Sequence, residues 1–256
     1  MIESPLLNDG AASSRPGRRW WLLLAAAGSG QRMRSEQPKQ YLPLGDRSVL
    51  EITLSRFTGL PGLAGVILVT AADPPEGGVR ALEAAGLPIH YAVGGATRGQ
   101  SVRNGLALFR GRGLGGGRNG KGEWVMVHDA ARPCVRPEDI RRLLESVDAP
   151  DGGLLAAPVR DTIKRVDAEG RVAATVDRSP LMHALTPQLF PVDVLLDALE
   201  SSLVAGREIT DESSAIEQAG LSPRTVIGAA DNLKITHPED LVIARAILVQ
   251  QGVLDD

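Results

Sequence analysis

The sequence predicts an α/β fold, a mostly parallel sheet with helices on both faces and a projecting β-arm. Three observations carry that expectation. Apolar runs of strand length recur along the chain, segments of helical periodicity separate them, and one late stretch alternates polar and β-branched residues. Strands spaced by helices imply βαβ units, right-handed crossovers and a parallel sheet buried on both sides. At 256 residues and 43% hydrophobic, the chain has enough apolar surface to offset its ordering entropy in one large domain. Aromatic residues are only 3%, so Ala, Val, Leu and Ile must build the core.

Residues 1–18 are Ser/Pro/Gly-rich and unpatterned, and are expected to form a flexible leader; residues 19–256 then make one domain, with an arm at 158–178. Trp20–Ala26 reads as the first buried strand. Arg18-Arg19 before it and Ala25-Ala26-Ala27 at its end outline a secretory signal, but an eight-residue apolar run is at the lower limit for one and far too short to span a membrane. Gly65–Thr70, Ile89–Val93, Trp124–Val127 and Gly153–Ala157 are the further strands, and Ser48–Phe57, Glu76–Ala85, Gln100–Phe109 and Pro137–Val147 the helices. Gly111–Gly122 is a glycine-rich surface connection. Val159–Val176 turns at Asp167-Ala168-Glu169-Gly170 as a hairpin, and Asn232–Thr236 is a short strand-like segment. The last helix is Pro238–Gln251, capped by Thr236 or His237 with Pro238 in its first turn.

Composition removes several functions. A formal charge of −3 argues against a general nucleic-acid binder. The single cysteine, Cys134, excludes an internal disulfide and disfavours a thiolate zinc site, and the four histidines lie far apart without an H-x-x-x-H pair. Neither nucleic acid nor membrane is an expected partner.

The chemistry concentrates at two strand ends. After the first strand, Ala26-Ala27-Gly28-Ser29-Gly30 leaves backbone N–H groups uncovered, which suits a phosphate nest, and Arg32 and Lys39 add positive charge. A dinucleotide fingerprint would need a third glycine where Met33 stands, and no Gly-Lys-Ser/Thr of a Walker loop is present. The plain alternative is a strand-to-helix turn followed by a solvated face. The second end is Val125-Met-Val-His-Asp129, at the carboxyl edge where open parallel sheets bind ligands. Asp129 beside a triphosphate points to Mg²⁺; the alternative is a helix N-cap. His128 reads as structural and Cys134 as a packing residue.

Together the blocks AAAGSGQRM, PKQYLPL, GG-x-x-R-x-x-SV-x-NGL, VHDAARPCV, AAPVRDTIKR, TVDRS, HALTPQ, ITDESSAIE and ADNLKITHPEDL resemble the 2-C-methyl-D-erythritol 4-phosphate cytidylyltransferase family, in family order over about residues 20–250. The resemblance implies a Rossmann-like nucleotidyltransferase fold, CTP and 2-C-methyl-D-erythritol 4-phosphate as substrates, Mg²⁺, and a cytoplasmic homodimer whose arms are exchanged. It implies that Ala26, Ala27, Gly28, Gly30, Arg32 and Lys39 hold the triphosphate, with Arg32 and Lys39 catalytic. Gly94, Gly95 and Ser101 then face cytosine and ribose, and Asp129 and Ala130 the ribose and metal. Arg132, Thr162, Arg178, Thr186, Thr210 and Lys234 position the acceptor, Thr162 and Arg178 from the partner's arm. Ala96 stands where the family often has an acidic residue. The rival readings are a cytidylyltransferase for another polyol phosphate, such as ribitol 5-phosphate, and a non-catalytic nucleotide-binding module; Arg32, Lys39, Asp129 and Lys234 argue against the module.

Overall fold

Strand β1, Trp20–Ala26, sends alternate side chains into two separate cores. Trp20, Leu22 and Leu24 pack with Leu50, Leu54, Phe57, Ile140 and Leu143 on one face. Trp21 and Leu23 pack with Val102, Leu106, Phe109, Leu195 and Leu199 on the other. A strand with no polar face must lie inside a sheet covered on both sides. The computed structural model that shows this describes residues 18–28, 33, 37–71, 86–111, 114 and 122–255. The expected helix Glu76–Ala85 and most of Gly111–Gly122 lie outside the described residues.

The first half follows the expected alternation. After β1 come the short pair β2 (Pro43–Leu44) and β3 (Arg47–Ser48), helix α1 (Val49–Ser55), β4 (Leu63–Thr70), β5 (Ile89–Val93), α2 (Arg98–Gly111) and β6 (Trp124–Asp129). Ser48 starts α1 with a reciprocal cap: its hydroxyl accepts from the Glu51 N–H at 3.2 Å, while the Glu51 carboxylate accepts from the Ser48 N–H at 2.7 Å. Then follow α3 (Pro137–Ser146), β7 (Gly153–Pro158), β8 (Ile163–Val166), β9 (Val172–Val176), β10 (Met182–Pro191), α4 (Val192–Val204), α5 (Glu212–Gln218), β11 (Arg224–Ile227) and α6 (Pro238–Gln250).

The main sheet has seven strands in the order β11-β7-β10-β6-β1-β4-β5. Pairing is parallel except for β10, which runs antiparallel to both β6 and β7. Of residues 182–227, which hold β10, α4, α5 and β11, the sequence marks only a helix start at Thr210-Asp211-Glu212, with Thr210 as its cap. Pro187 inside β10 argues against a strand there, but it falls where the register shifts between Ala184 and Gln188, so no ladder N–H is needed. The hairpin is confirmed as the separate pair β8–β9, closed by Asp167, whose side chain accepts from the N–H groups of Glu169 and Arg171. Asn232–Thr236 is not a strand; the Ile235 N–H bonds Ala131 O at 2.9 Å and ties the segment beside the end of β6.

The paired arginines before β1 have structural work. The Arg18 guanidinium donates to Leu144 O and Val147 O at the end of α3, at 3.1 and 2.6 Å, and lies 3.9 Å from the Trp124 ring centroid. The apolar run after them is a central strand paired on both edges. Among the described residues, no helix is long and apolar enough to cross a membrane.

Helix α2 sits on the sheet through Gly105, where an added Cβ would meet Leu23 Cδ1 at 2.7 Å and Val69 Cγ2 at 2.9 Å. Gly105→Val is therefore expected to lower stability by about 1–3 kcal/mol through overpacking, measured by chemical denaturation. Unchanged stability would mean that the helix does not bear on β1 and β4 at this point.

Candidate active site

The register of β1 and β6 pairs Ala25 with Asp129, so the turn after β1 and the Asp129 carboxylate emerge together at the carboxyl edge of the sheet. A cavity of about 490 Å³ opens there. Ala27 and Gly28 from the β1 turn, Asp129, Ala130 and Ala131 from the end of β6, and Gly95–Arg98 with Ser101 from the start of α2 line it. Lys39 and Gln40 close one side, and Lys234 and Thr236 another.

Each wall is held by local bonds. Lys39–Tyr41 is a single tight helical turn, and the buried Gln40 side chain donates to Ala26 O at 2.6 Å, fastening Lys39 to the β1 turn. Gly94 lets β5 approach that turn: a Cβ there would come within 2.3 Å of the Ala27 methyl group. Thr97 caps α2, its hydroxyl accepting from the Gln100 N–H at 3.2 Å. Ser101 Oγ accepts from the Gly95 N–H and donates to Thr97 O, both at 3.0 Å. Lys234 is held in place by the apolar packing of Ile235 with Ala131, Cys134, Ala244 and Leu248 of the α6 layer.

Asp129 is the electrostatic centre. Its Oδ1 accepts from Arg98 Nε and Nη2, both at 3.2 Å, and its Oδ2 faces Lys234 Nζ at 2.9 Å and Arg132 Nε at 3.3 Å. Burial pushes the Asp129 pKa up, but Arg98, then Lys234 and Arg132, outweigh it and hold the carboxyl well below its ordinary range. Arg98 also pairs through Nη1 with the fully buried Glu212. Burial opposes the Arg98 charge, yet Glu212 and Asp129 raise its pKa further.

The layer behind is neutral. Arg132 O can only accept, so His128 Nε2, 3.1 Å away, carries the ring proton, and Nδ1 accepts from the Thr186 hydroxyl at 2.9 Å. Thr186 Oγ1 in turn accepts from the Asp129 N–H at 3.2 Å. Desolvation lowers the His128 pKa from 6.5 to about 3. Burial of Cys134 pushes its thiol up to about 12, in keeping with a packing role.

Of the residues singled out in sequence, Ala27, Gly28, Lys39, Gly95, Ser101, Asp129, Ala130 and Lys234 meet at the cavity. Gly30 and Arg32 lie outside the described residues. Ala26 is buried and takes part through its carbonyl. Arg132 supports Asp129 and donates to Asn232 O at 2.7 Å. The Thr186 hydroxyl is committed to His128 and Asp129, and Gly94 supports the wall from outside the lining. Thr162, Arg178 and Thr210 are exposed and do not line the cavity of their own chain. The cap of α5 is Asp211 and not Thr210, its carboxylate accepting from the Ser214 N–H at 3.0 Å. Nor is Asp129 a helix cap, since it ends a strand among cations.

Sequence reasoning missed Arg98, Gln40 and Glu212. Arg98 had a signal: it opens a helix, where the dipole disfavours a cation unless carboxylates offset it.

The neutral His128 gives a pH dependence. Between pH about 6.5 and about 3 the unfolded chain takes up a proton that the native chain refuses, so stability falls as pH falls through that window, by up to about 1.4 kcal/mol per unit. Denaturation at pH 7 and pH 5 is expected to show that slope, and His128→Asn to lose it. Equal slopes in both would assign it to another group.

Residues 21–250 match the family model of 2-C-methyl-D-erythritol 4-phosphate cytidylyltransferase. A protein of that name from Ectopseudomonas mendocina (strain ymp) is 48% identical over 234 residues, 91% of this chain and 97% of that protein. A crystal structure of 2-C-methyl-D-erythritol 4-phosphate cytidylyltransferase from Thermus thermophilus is similar with a TM-score of 0.70 and 30% identity, over 90% of this chain and 98% of that one. The structure of 4-diphosphocytidyl-2C-methyl-D-erythritol synthase from Anaerococcus prevotii DSM 20548 gives 0.75 and 29%, over 91% and 96%. On this agreement of sequence and fold, the chain belongs to the 2-C-methyl-D-erythritol 4-phosphate cytidylyltransferase family.

Proposed function

We propose that the chain transfers CMP from CTP to 2-C-methyl-D-erythritol 4-phosphate, releasing pyrophosphate, and acts in the cytoplasm as a homodimer. The observation that carries this reading is the convergence of Lys39, Arg98 and Lys234 on one cavity at the carboxyl edge, beside the glycine turn after β1. Two phosphate-bearing anions repel each other most in a water-poor site. Cations from three separate parts of the chain answer that repulsion.

In the proposed reaction an oxygen of the acceptor phosphate attacks the α-phosphorus of CTP in line, and pyrophosphate leaves. No protein nucleophile is required, so the chain's part is to position the reactants and neutralise charge on the equatorial and leaving oxygens. Lys39, together with Arg32, would stabilise the departing pyrophosphate. Lys234 lines the cavity beside Asp129 and would turn from that carboxylate to the phosphates. Ser101 and the Gly95 backbone would face the base and ribose. Thr162 and Arg178, exposed on the arm segment, would complete the acceptor side of the partner's cavity.

For the metal, no group of three or more His, Cys, Asp or Glu able to hold an ion occurs among the described residues. Asp129 offers one carboxylate at the cavity, already shared among cations. A single carboxylate at the cavity suits a hard cation that prefers oxygen, such as Mg²⁺, and Asp129 is the residue that would hold it. When bound, it would neutralise negative charge on the triphosphate oxygens.

The reading is tested by CTP-dependent pyrophosphate release, with methylerythritol phosphate turned over far faster than ribitol 5-phosphate. The reverse preference would give the chain to another polyol. Lys39→Ala is expected to lower kcat by about two orders of magnitude with the fold retained by circular dichroism; a kcat near the parent's would remove Lys39 from the chemistry. Mixing inactive Lys39→Ala and Arg178→Ala subunits should restore part of the activity, because one hybrid site keeps both residues. A demonstrated heterodimer without activity would argue against arm exchange.

A further inference from the structure

We propose that Glu212 is a positioning residue for the transfer reaction, holding the Arg98 guanidinium from behind so that its other edge stays aimed at the nucleotide cavity. The inference rests on the reading of that cavity as the CTP site.

Glu212 is the first residue of α5 and its side chain is fully buried. One oxygen, Oε1, bonds Arg98 Nη1, and the other, Oε2, is buried without a hydrogen-bond partner. Arg98 lines the cavity with its side chain 23% exposed. A buried carboxylate with half its bonding capacity unused is costly, and an apolar residue would serve packing better. The benefit must lie in what the carboxylate does to its partner.

Geometry indicates what that is. Asp129 grips Arg98 through the single oxygen Oδ1, on the Nε and Nη2 side. A contact through one acceptor atom allows the planar group to pivot. Glu212 takes the remaining nitrogen, Nη1, and two anchors on different nitrogens define the plane. Asp129 also faces Arg132 and Lys234 through its other oxygen, so its orientation depends on where phosphates place those cations. Glu212 is out of contact with the cavity and keeps Arg98 in place throughout. Its own position is fixed by Gln188 of β10, which donates to Asp211 Oδ2 and accepts from the Ser213 N–H, both at 2.8 Å, bracketing Glu212 on either side.

The test is steady-state pyrophosphate release by the full chain carrying Glu212→Gln, Glu212→Asp, Arg98→Lys and the double Arg98→Lys/Glu212→Gln. Positioning predicts that Glu212→Gln lowers kcat about tenfold or more while the KM for CTP does not rise, because the loss falls on the transition state. Glu212→Asp, which keeps the charge but withdraws the carboxylate, should also lower kcat. The double variant should be no slower than the worse single one, since both remove the same restraint. A charge-balancing role predicts tighter CTP binding with unchanged kcat in Glu212→Gln and parent-like kinetics in Glu212→Asp, and either result overturns the proposal. If Glu212→Gln does not fold, Glu212→Asp decides by the same kcat criterion. A parent chain without turnover would defeat the cytidylyl-transfer reading and this inference with it; an active parent with indifferent variants would defeat the inference alone.

Discussion

Three cations share one carboxylate at the end of β6, and the candidate site is organised by that sharing. Arg98, Arg132 and Lys234 come from a helix start, a post-strand turn and the segment before the last helix, and like charges this close would otherwise drive their carriers apart. Asp129 allows them to coexist at the edge of one cavity. With Glu212 behind it, two buried anions stand against three cations, so this group keeps a positive excess suited to polyanionic substrates. The protein as a whole is slightly acidic, with a formal charge of −3. The attraction for phosphate is therefore local and does not come from net charge.

Asp129 depends in turn on groups that never reach the cavity. Its backbone N–H is received by Thr186, the Thr186 hydroxyl is oriented by His128, and His128 is fixed by Arg132 O. Thr186 O accepts from Asn232, whose carbonyl receives Arg132. The chain of bonds joins β6, β10 and the segment bearing Lys234, so the cation cluster is braced by the sheet. Residues of this kind alter a site by moving its charged members and not by touching substrate.

The first half of the fold was legible because its signals are local. Trp20–Ala26 and Leu63–Thr70 are apolar on both faces, and capping chemistry such as that of Ser48 marks helix starts. The antiparallel strand β10 was hidden, since Pro187 interrupts its pattern and its place in the sheet depends on partners far away in sequence. The site shows the same division. Gly28, Lys39 and Asp129 announce themselves as strand-end residues with phosphate or charge chemistry. Glu212 is 114 positions from Arg98, and nothing near it in sequence tells that its carboxylate goes inward. Thr210 looked like the cap of α5 because Thr, Asp and Glu are adjacent and only the backbone decides which residue is last outside the helix.

The reversed direction of β10 has a topological effect on the segment ahead of it. Met182 at its start lies opposite Pro158 at the end of β7, so the two feet of the arm stand side by side on one rim of the sheet. The excursion between them is thus a closed loop in the mechanical sense, attached at a single point. Its span can be reshaped, lengthened or shed without shifting any rung of the ladder beneath. The shape of that excursion and the integrity of the core are separate variables in this architecture, each open to change without the other.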